Sequence, residues 1–262
     1  MIIIENTTEF HIEEPTAVAI GKFDGFHRGH KAVFDELMAG KKKGLKTVVF
    51  TFNPSPSTYF SGTVQPELAT VTEKRRFMER LGVDYYVEYP FYDKTAAVEP
   101  EEYVKSFLLD KLHMKLLVAG EDVSFGAKGR GNKELLMSMS KRPGFSLRII
   151  PKLTWNGIEI SSTLVRDLVA QGDMEACAQL LGRPYSLFGN VGEGKKLGRT
   201  LDMPTANLYP EDDKFLPPFG VYYGKAVLRD SKDGSGQRTF DAVINIGIRP
   251  TVNDGERVSA EA

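Results

Sequence analysis

Along the first two thirds of the chain, short unbroken apolar runs alternate with stretches whose apolar residues recur at helical spacing. Val18 and Ile20 close one run, Lys46-Thr-Val-Val-Phe-Thr-Phe52 makes a second, and Val33, Phe34, Leu37 and Met38 between them mark one face of a helix starting near Arg28. Runs without polar alternation predict strands covered on both faces, as in a parallel sheet. The same pattern predicts strands at Met1 to Glu5, Tyr85 to Tyr89, Leu116 to Ala119 and Leu147 to Ile150. Thr70-x-x-Glu73 is a capping-box pattern for a helix carrying Phe77, Met78 and Leu81 and stopping at Gly82. Pro100 suits the first turn of a helix burying Tyr103, Val104, Phe107 and Leu108, and a further helix is expected at Glu134 to Ser140. This β and α order predicts a parallel α/β sheet.

After Ile150 the pattern changes. Trp155-Asn-Gly-Ile predicts a tight hairpin, and Ser161-Ser-Thr can cap a helix burying Leu164, Val165, Leu168 and Val169. Asp173 caps a short helix that ends near Gly182, where we expect one domain (1–182) to give way to another (183–262). Beyond it, Tyr185 to Val191, Gly220 to Leu228 and Phe240 to Ile246 read as strands between segments rich in glycine, proline and charge, which predicts a small antiparallel barrel.

Composition narrows the partners. The 262 residues carry 34 Lys and Arg against 35 Asp and Glu, a net charge of -1, which argues against a general nucleic-acid or membrane-surface binder. No apolar run approaches the ~20 residues of a membrane span, and the N-terminus lacks the basic start and long apolar region of a secretory signal. The single cysteine, Cys177, lies among Ala176, Ala178, Leu180 and Leu181, as a core residue does; without an export signal, the expected location is cytoplasmic.

Candidate chemistry concentrates in three places. In Gly21-Lys-Phe-Asp-Gly-Phe-His-Arg-Gly-His30 a strand runs through a glycine turn into a helix whose unpaired N–H groups and dipole favour an anion. His27 and His30, three residues apart at that mouth, can donate to phosphate oxygens. Two loops beyond strand ends, Asn53-Pro-Ser-Pro56 and the glycine-rich Gly120 to Gly131, are expected to wall the same ligand site. Arg166, about a turn into the helix after Ser161, can reach a triphosphate bound at that helix start; taken alone, the serines there are explained by capping. In the second half, Gly192 to Asn207 combines glycines with basic residues, and Thr205 and Asn207 offer oxygens to Mg²⁺.

The first motif resembles the H-x-G-H signature of nucleotidyltransferases. Together, Gly-Lys-Phe-Asp-Gly-x-His-x-Gly-His, Gly-Glu-Asp-x-x-Phe-Gly, Ile-Ser-Ser-Thr-x-Val-Arg and Pro-Thr-Ala-Asn resemble the bacterial bifunctional riboflavin kinase/FAD synthetases over nearly the whole chain. That resemblance implies a Rossmann-like nucleotidyltransferase domain followed by a flavokinase barrel that is C-terminally incomplete, since the family continues with further strands and a terminal helix. It implies two reactions: riboflavin is phosphorylated to FMN by ATP, and FMN is adenylylated to FAD with release of pyrophosphate. His27, His30 and Arg166 would then act on ATP in adenylylation, with Gly21, Phe23, Asp24, Gly25, Gly29, Ser161, Ser162 and Thr163 around the nucleotide. Asn53, Asp122, Phe125 and Arg130 would hold the flavin. Gly194, Lys195, Gly198 and Arg199 would form the kinase phosphate loop, Thr205 and Asn207 would serve Mg²⁺, and Glu261 would be the kinase general base. This sequence has Asn53 and Ser55 where the family often has an acid and a histidine, and Asp202 where it usually has glycine. Small molecules are the expected partners, without nucleic acid or membrane, and a homo-oligomer is allowed. Two alternatives stay open on the sequence: an adenylyltransferase with an inactive kinase-like module, and a non-catalytic flavin or nucleotide sensor.

Overall fold

The computed structural model describes residues 1–141, 144–192, 205–229, 236–251 and 255–262. Its N-terminal part is built on a six-stranded sheet in the order β1-β4-β3-β2-β5-β6. The strands are β1 (Ile2–Glu5), β2 (Thr16–Ile20), β3 (Lys46–Asn53), β4 (Tyr85–Pro90), β5 (Met114–Gly120) and β6 (Ser146–Ile150). Every pairing among them is parallel.

The helices are α1 (Arg28–Lys42), α2 (Pro56–Ser61), α3 (Val71–Leu81), α4 (Asp93–Ala96), α5 (Pro100–Glu102) and α6 (Lys133–Ser140). Thr70 and Glu73 close the expected capping box on α3, and Gly82 ends that helix in the left-handed region. One element differs in form: past Glu102 the chain widens into a π-type helix, Tyr103–Lys111, which still buries the four expected residues.

Unbroken apolar runs make sense because helices cover both faces of the sheet. Val18, Phe50, Val87 and Leu117 pack on one side with Val104, Leu108 and Leu136. Ala17, Val49, Tyr86 and Val118 pack on the other with Val33, Phe34, Leu37 and Met78. After β2 the chain builds outward through β3 and β4, then returns to the far side of β2 as β5. That reversal opens a crevice at the carboxyl end of β2, the standard ligand position in such sheets.

The hairpin β7 (Thr154–Trp155) and β8 (Ile158–Glu159) follows, turning through Asn156 and Gly157 with φ of 50° and 80°. Helices α7 (Ser162–Gln171) and α8 (Met174–Leu181) share a third core with Leu68, Ile160 and Cys177.

In the C-terminal part, β9 (Val191–Gly192), β10 (Asn207–Leu208), β11 (Gly220–Arg229), β12 (Gln237–Thr251) and β13 (Gly255–Glu261) form an antiparallel sheet in the order β11-β12-β13-β10-β9. Among the described residues this sheet is open rather than closed into a barrel. The strand expected over Tyr185 to Val191 also shrinks to β9. Its aromatic side chains pack instead of pairing: the Tyr185 hydroxyl donates to the Phe215 carbonyl at 2.5 Å, and the Arg76 guanidinium lies 3.6 Å over the Phe188 ring.

Candidate active sites

The crevice at the end of β2 is a cleft of about 530 Å³, a size suited to a small-molecule ligand. Gly21, Phe23, His27, Gly29 and His30 from the first motif line it, as do Asp122, Phe125, Ser161 and Ser162 from two distant segments. The expected grouping of the histidines with the loop after β5 and the start of α7 is therefore present.

A strained turn sets the histidines. Phe23, Gly25 and Phe26 all have positive φ, at 50°, 79° and 51°, and two of the three are not glycine. At Gly25 a Cβ would meet Leu68 Cδ1 at 2.9 Å, so the turn needs glycine for space as well as for conformation. His27 follows in extended geometry as the N-cap of α1, its Nδ1 accepting from the His30 N–H at 3.3 Å. A Cβ on Gly29 would meet the His27 ring at 3.1 Å, so this glycine makes room for the imidazole. The two rings stack with centroids 3.7 Å apart and planes 19° apart, and Phe23 meets His30 edge-on at 5.4 Å.

Burial lowers the His27 pKa to about 4, against a smaller opposing pull from Asp24 and Asp122. Burial, and then the neighbouring His27, push His30 well below its ordinary value as well. Both rings are thus neutral near pH 7. Because Nδ1 of His27 accepts a hydrogen bond, its proton sits on Nε2, where it can be donated. His30 Nδ1 is buried with no hydrogen-bond partner among the described residues, so its capacity is unspent.

Other expected residues lie elsewhere. Arg166 is outside the cleft lining: its guanidinium donates to the Pro66 carbonyl at 2.6 Å, pairs with Asp24 and lies 5.2 Å over Phe215. Asp24 and Gly25 are buried behind the cleft, where Asp24 Oδ1 accepts from the Ala69 N–H at 3.1 Å. Thr163 is exposed and outside the lining. Arg130 is also outside it, paired in solvent with Glu99 at 2.6 Å. Asn53 borders a small neighbouring pocket and donates to Glu88 at 3.4 Å, while Ser55 lines both spaces and caps α2. For Arg166, Arg130 and Asn53, a carboxylate or carbonyl brought close by the fold claims the polar side chain, a competition that local sequence does not display. Cys177 is buried and its thiol is pushed up to about 11 by burial, which leaves it chemically inert.

Two features of the cleft escape sequence reading. Phe52, Phe60, Phe91 and Tyr103 join Phe125 as an aromatic wall, gathered from four chain segments. Lys152 lies just past β6, with its ammonium 2.5 Å from Glu159 and 3.7 Å from Asp122. Its place beyond a strand's carboxyl end was the available signal.

In the C-terminal sheet, Asn207 stands opposite Glu261 in the β10–β13 ladder. The Thr205 hydroxyl donates to Glu261 Oε1 at 2.7 Å. Asn207 is buried, and its Oδ1 has no hydrogen-bond partner among the described residues. An orphaned carbonyl oxygen, a hydroxyl and a carboxylate fit a hard cation such as Mg²⁺. Gly194, Lys195, Gly198 and Arg199 lie outside the described residues, as does Asp202.

Comparison with known proteins matches both parts. Residues 9–164 fit the FAD synthetase family model and residues 181–262 the riboflavin kinase model. The Escherichia coli K12 bifunctional riboflavin kinase/FMN adenylyltransferase is 35% identical over 242 residues, 92% of this chain and 75% of the relative. Proteins of the same description from Haemophilus influenzae and Listeria monocytogenes are 36% and 34% identical over 90% and 97% of this chain, covering 75% and 79% of the relatives. A crystal structure described as a macrolide-efflux protein from Streptococcus pneumoniae superposes with a TM-score of 0.79 at 28% identity, over 99% of this chain and 83% of that one. No helix among the described residues is long and apolar enough to cross a membrane. The chain belongs to the bifunctional riboflavin kinase/FMN adenylyltransferase family.

Proposed function

We propose that the two parts of this chain carry the two reactions of its family in succession: riboflavin phosphorylation in the C-terminal sheet and FMN adenylylation in the cleft at β2. Both activities follow from the matched families. The assignment of residues is our own reading, and it rests on one observation above the rest: two stacked neutral imidazoles at the N-terminus of α1, inside a cleft with an aromatic wall.

In the cleft, the FMN phosphate oxygen attacks the α-phosphorus of ATP, and pyrophosphate leaves. The N-terminus of α1 and the Nε2–H of His27 meet the phosphates, and His30 supports the charge that builds on the pentavalent phosphorus. Neutral rings suit entry of a polyanion because the approaching charge favours their protonated forms, so nucleotide binding draws protons in. Gly21, Phe23, Gly29, Ser161 and Ser162 flank the nucleotide, and Asp24, Gly25 and Thr163 support its walls. Phe125 and its aromatic neighbours suit the flavin ring, with Asp122 at the rim. Arg166 lies behind the cleft at the first turns of α7, from which it can serve the triphosphate. We retain Asn53 and Arg130 as rim residues on the flavin side.

In this reading Mg²⁺ arrives in the cleft on the ATP phosphates, as a hard cation that prefers oxygen ligands. Such an ion would neutralise phosphate charge. In the second site Thr205 and Asn207 would hold it, Gly194, Lys195, Gly198 and Arg199 would contact the phosphates, and Glu261 would take the proton from the riboflavin hydroxyl. We read the five-stranded sheet as part of a small barrel and divide the chain at 1–182 and 183–262. The left-handed Gly182 that ends α8 supports that division. The single buried Cys177 is in keeping with a cytoplasmic enzyme.

The test is chromatography of flavin products. FMN with ATP and Mg²⁺ should yield FAD and pyrophosphate, and riboflavin should yield FMN and then FAD. Failure to form FAD from FMN overturns the assignment of the cleft.

A further inference from the structure

Lys214 belongs to the C-terminal part yet is buried in the N-terminal one, with 5% of its surface exposed. Its ammonium donates to the Leu68 carbonyl at 2.7 Å and to Glu73 Oε2 at 2.6 Å, and lies 4.5 Å over the Tyr185 ring. On either side the backbone joins the same turn: the Glu67 N–H donates to the Asp213 carbonyl at 2.6 Å, and the Phe215 N–H to the Glu67 carbonyl at 2.8 Å. A buried ammonium is costly unless every partner is in place, so this clasp holds the 66–70 turn in one arrangement.

The opposite edge of that turn faces the adenylylation machinery. Its Pro66 carbonyl accepts from Arg166 at 2.6 Å, and its Ala69 N–H donates to Asp24 at 3.1 Å. Asp24 in turn pairs with Arg166, and its carbonyl accepts from the Ser162 hydroxyl at 2.9 Å, at the start of α7. Phe215, next to Lys214, lies beneath the same guanidinium.

We propose that Lys214 is a positioning residue for nucleotidyl transfer: carried by the kinase part, it fixes the 66–70 turn that holds Asp24 and Arg166 behind the cleft. This rests on reading the cleft as the adenylylation site. It makes the second part of the chain a structural component of the first part's reaction.

The experiment measures pyrophosphate release from FMN, ATP and Mg²⁺ by the full chain, together with hydrogen exchange of the Ala69 amide. Lys214→Met should lower kcat roughly tenfold with the KM for FMN within about twofold, because misplacing a positioned group costs turnover rather than flavin binding. Combined with Arg166→Ala, it should add less than about twofold, since residues acting through one another are not additive. The Ala69 amide should exchange faster in Lys214→Met. Undiminished kcat, an equal tenfold loss in both backgrounds, or unchanged Ala69 exchange overturns the proposal. If Lys214→Met does not fold, Lys214→Gln, which keeps a donor for the Leu68 carbonyl, should show a loss of roughly threefold that again vanishes beside Arg166→Ala. A wild-type chain that releases no pyrophosphate overturns the reading of the cleft, whereas fast Ala69 exchange with full turnover overturns the positioning role alone.

Discussion

The two sites are assembled in opposite ways. At the end of β2, a turn, a cap and a pair of rings all come from neighbouring residues, so the chain's local conformation builds the phosphate end of the site. In the C-terminal sheet, Thr205 and Glu261 are 56 residues apart and meet only because β10 and β13 pair in one register. A slip of one residue along β13 would turn Glu261 to the other face of the sheet. The surroundings differ too: β2 is buried along its whole length, whereas Val221 and Tyr223 on β11 are 69% and 78% exposed. The phosphate end of the first site breaks first at its own glycines, while a site built on register depends on the whole sheet.

The largest expected effect on this contrast comes from His30→Ala, which should lower kcat for FAD formation roughly 10²–10³-fold with little change in FMN affinity. Riboflavin phosphorylation by the same variant should stay at the wild-type rate, and an equal loss in both assays would erase the separation of sites. Glu261→Gln should do the converse, cutting riboflavin phosphorylation roughly 10²-fold while pyrophosphate release from FMN and ATP persists. Gly25→Ala should cost about 2 kcal/mol in urea unfolding, since it places a side chain at φ 79° against Leu68. It should impair FAD formation well before FMN formation.

The smallest effect concerns pH. All four histidines lie in the first 113 residues, so a histidine-linked change in stability belongs to the N-terminal part. The folded His27 has a pKa of about 4 and the unfolded one about 6.5, so between these values the unfolded chain binds more protons. The stabilisation is complete above pH 6.5 and is lost as pH falls toward 4. Between pH 6.5 and 5 the loss from His27 alone is about 1.5 kcal/mol, and it should vanish in His27→Gln. A pH-independent midpoint of urea unfolding over that range would show that the imidazole is not buried as described.

How much was legible from sequence follows the same division. Capping at Thr70, Ser161 and Asp173, the hairpin at Asn156-Gly157 and the turn before α1 are local, and each is present where the residues indicated. The destinations of long side chains were not legible. Arg166 finds Asp24 from 142 residues away, and Arg130 finds Glu99, because guanidinium groups settle on whichever carboxylates the tertiary structure supplies. Tyr185 and Phe188 show the same limit for aromatics: a strand-like spacing served contacts with Phe215 and Arg76 instead of ladder pairing.

The hairpin between β6 and α7 carries a practical consequence. Its Trp155 is the chain's only indole, packed beside the α7–α8 core while Glu159 and Ile160 of the same segment line the cleft. Emission excited selectively in the indole therefore reports from one place. A yellow ligand seated against the aromatic wall should dim it by energy transfer, giving an optical titration without any added label.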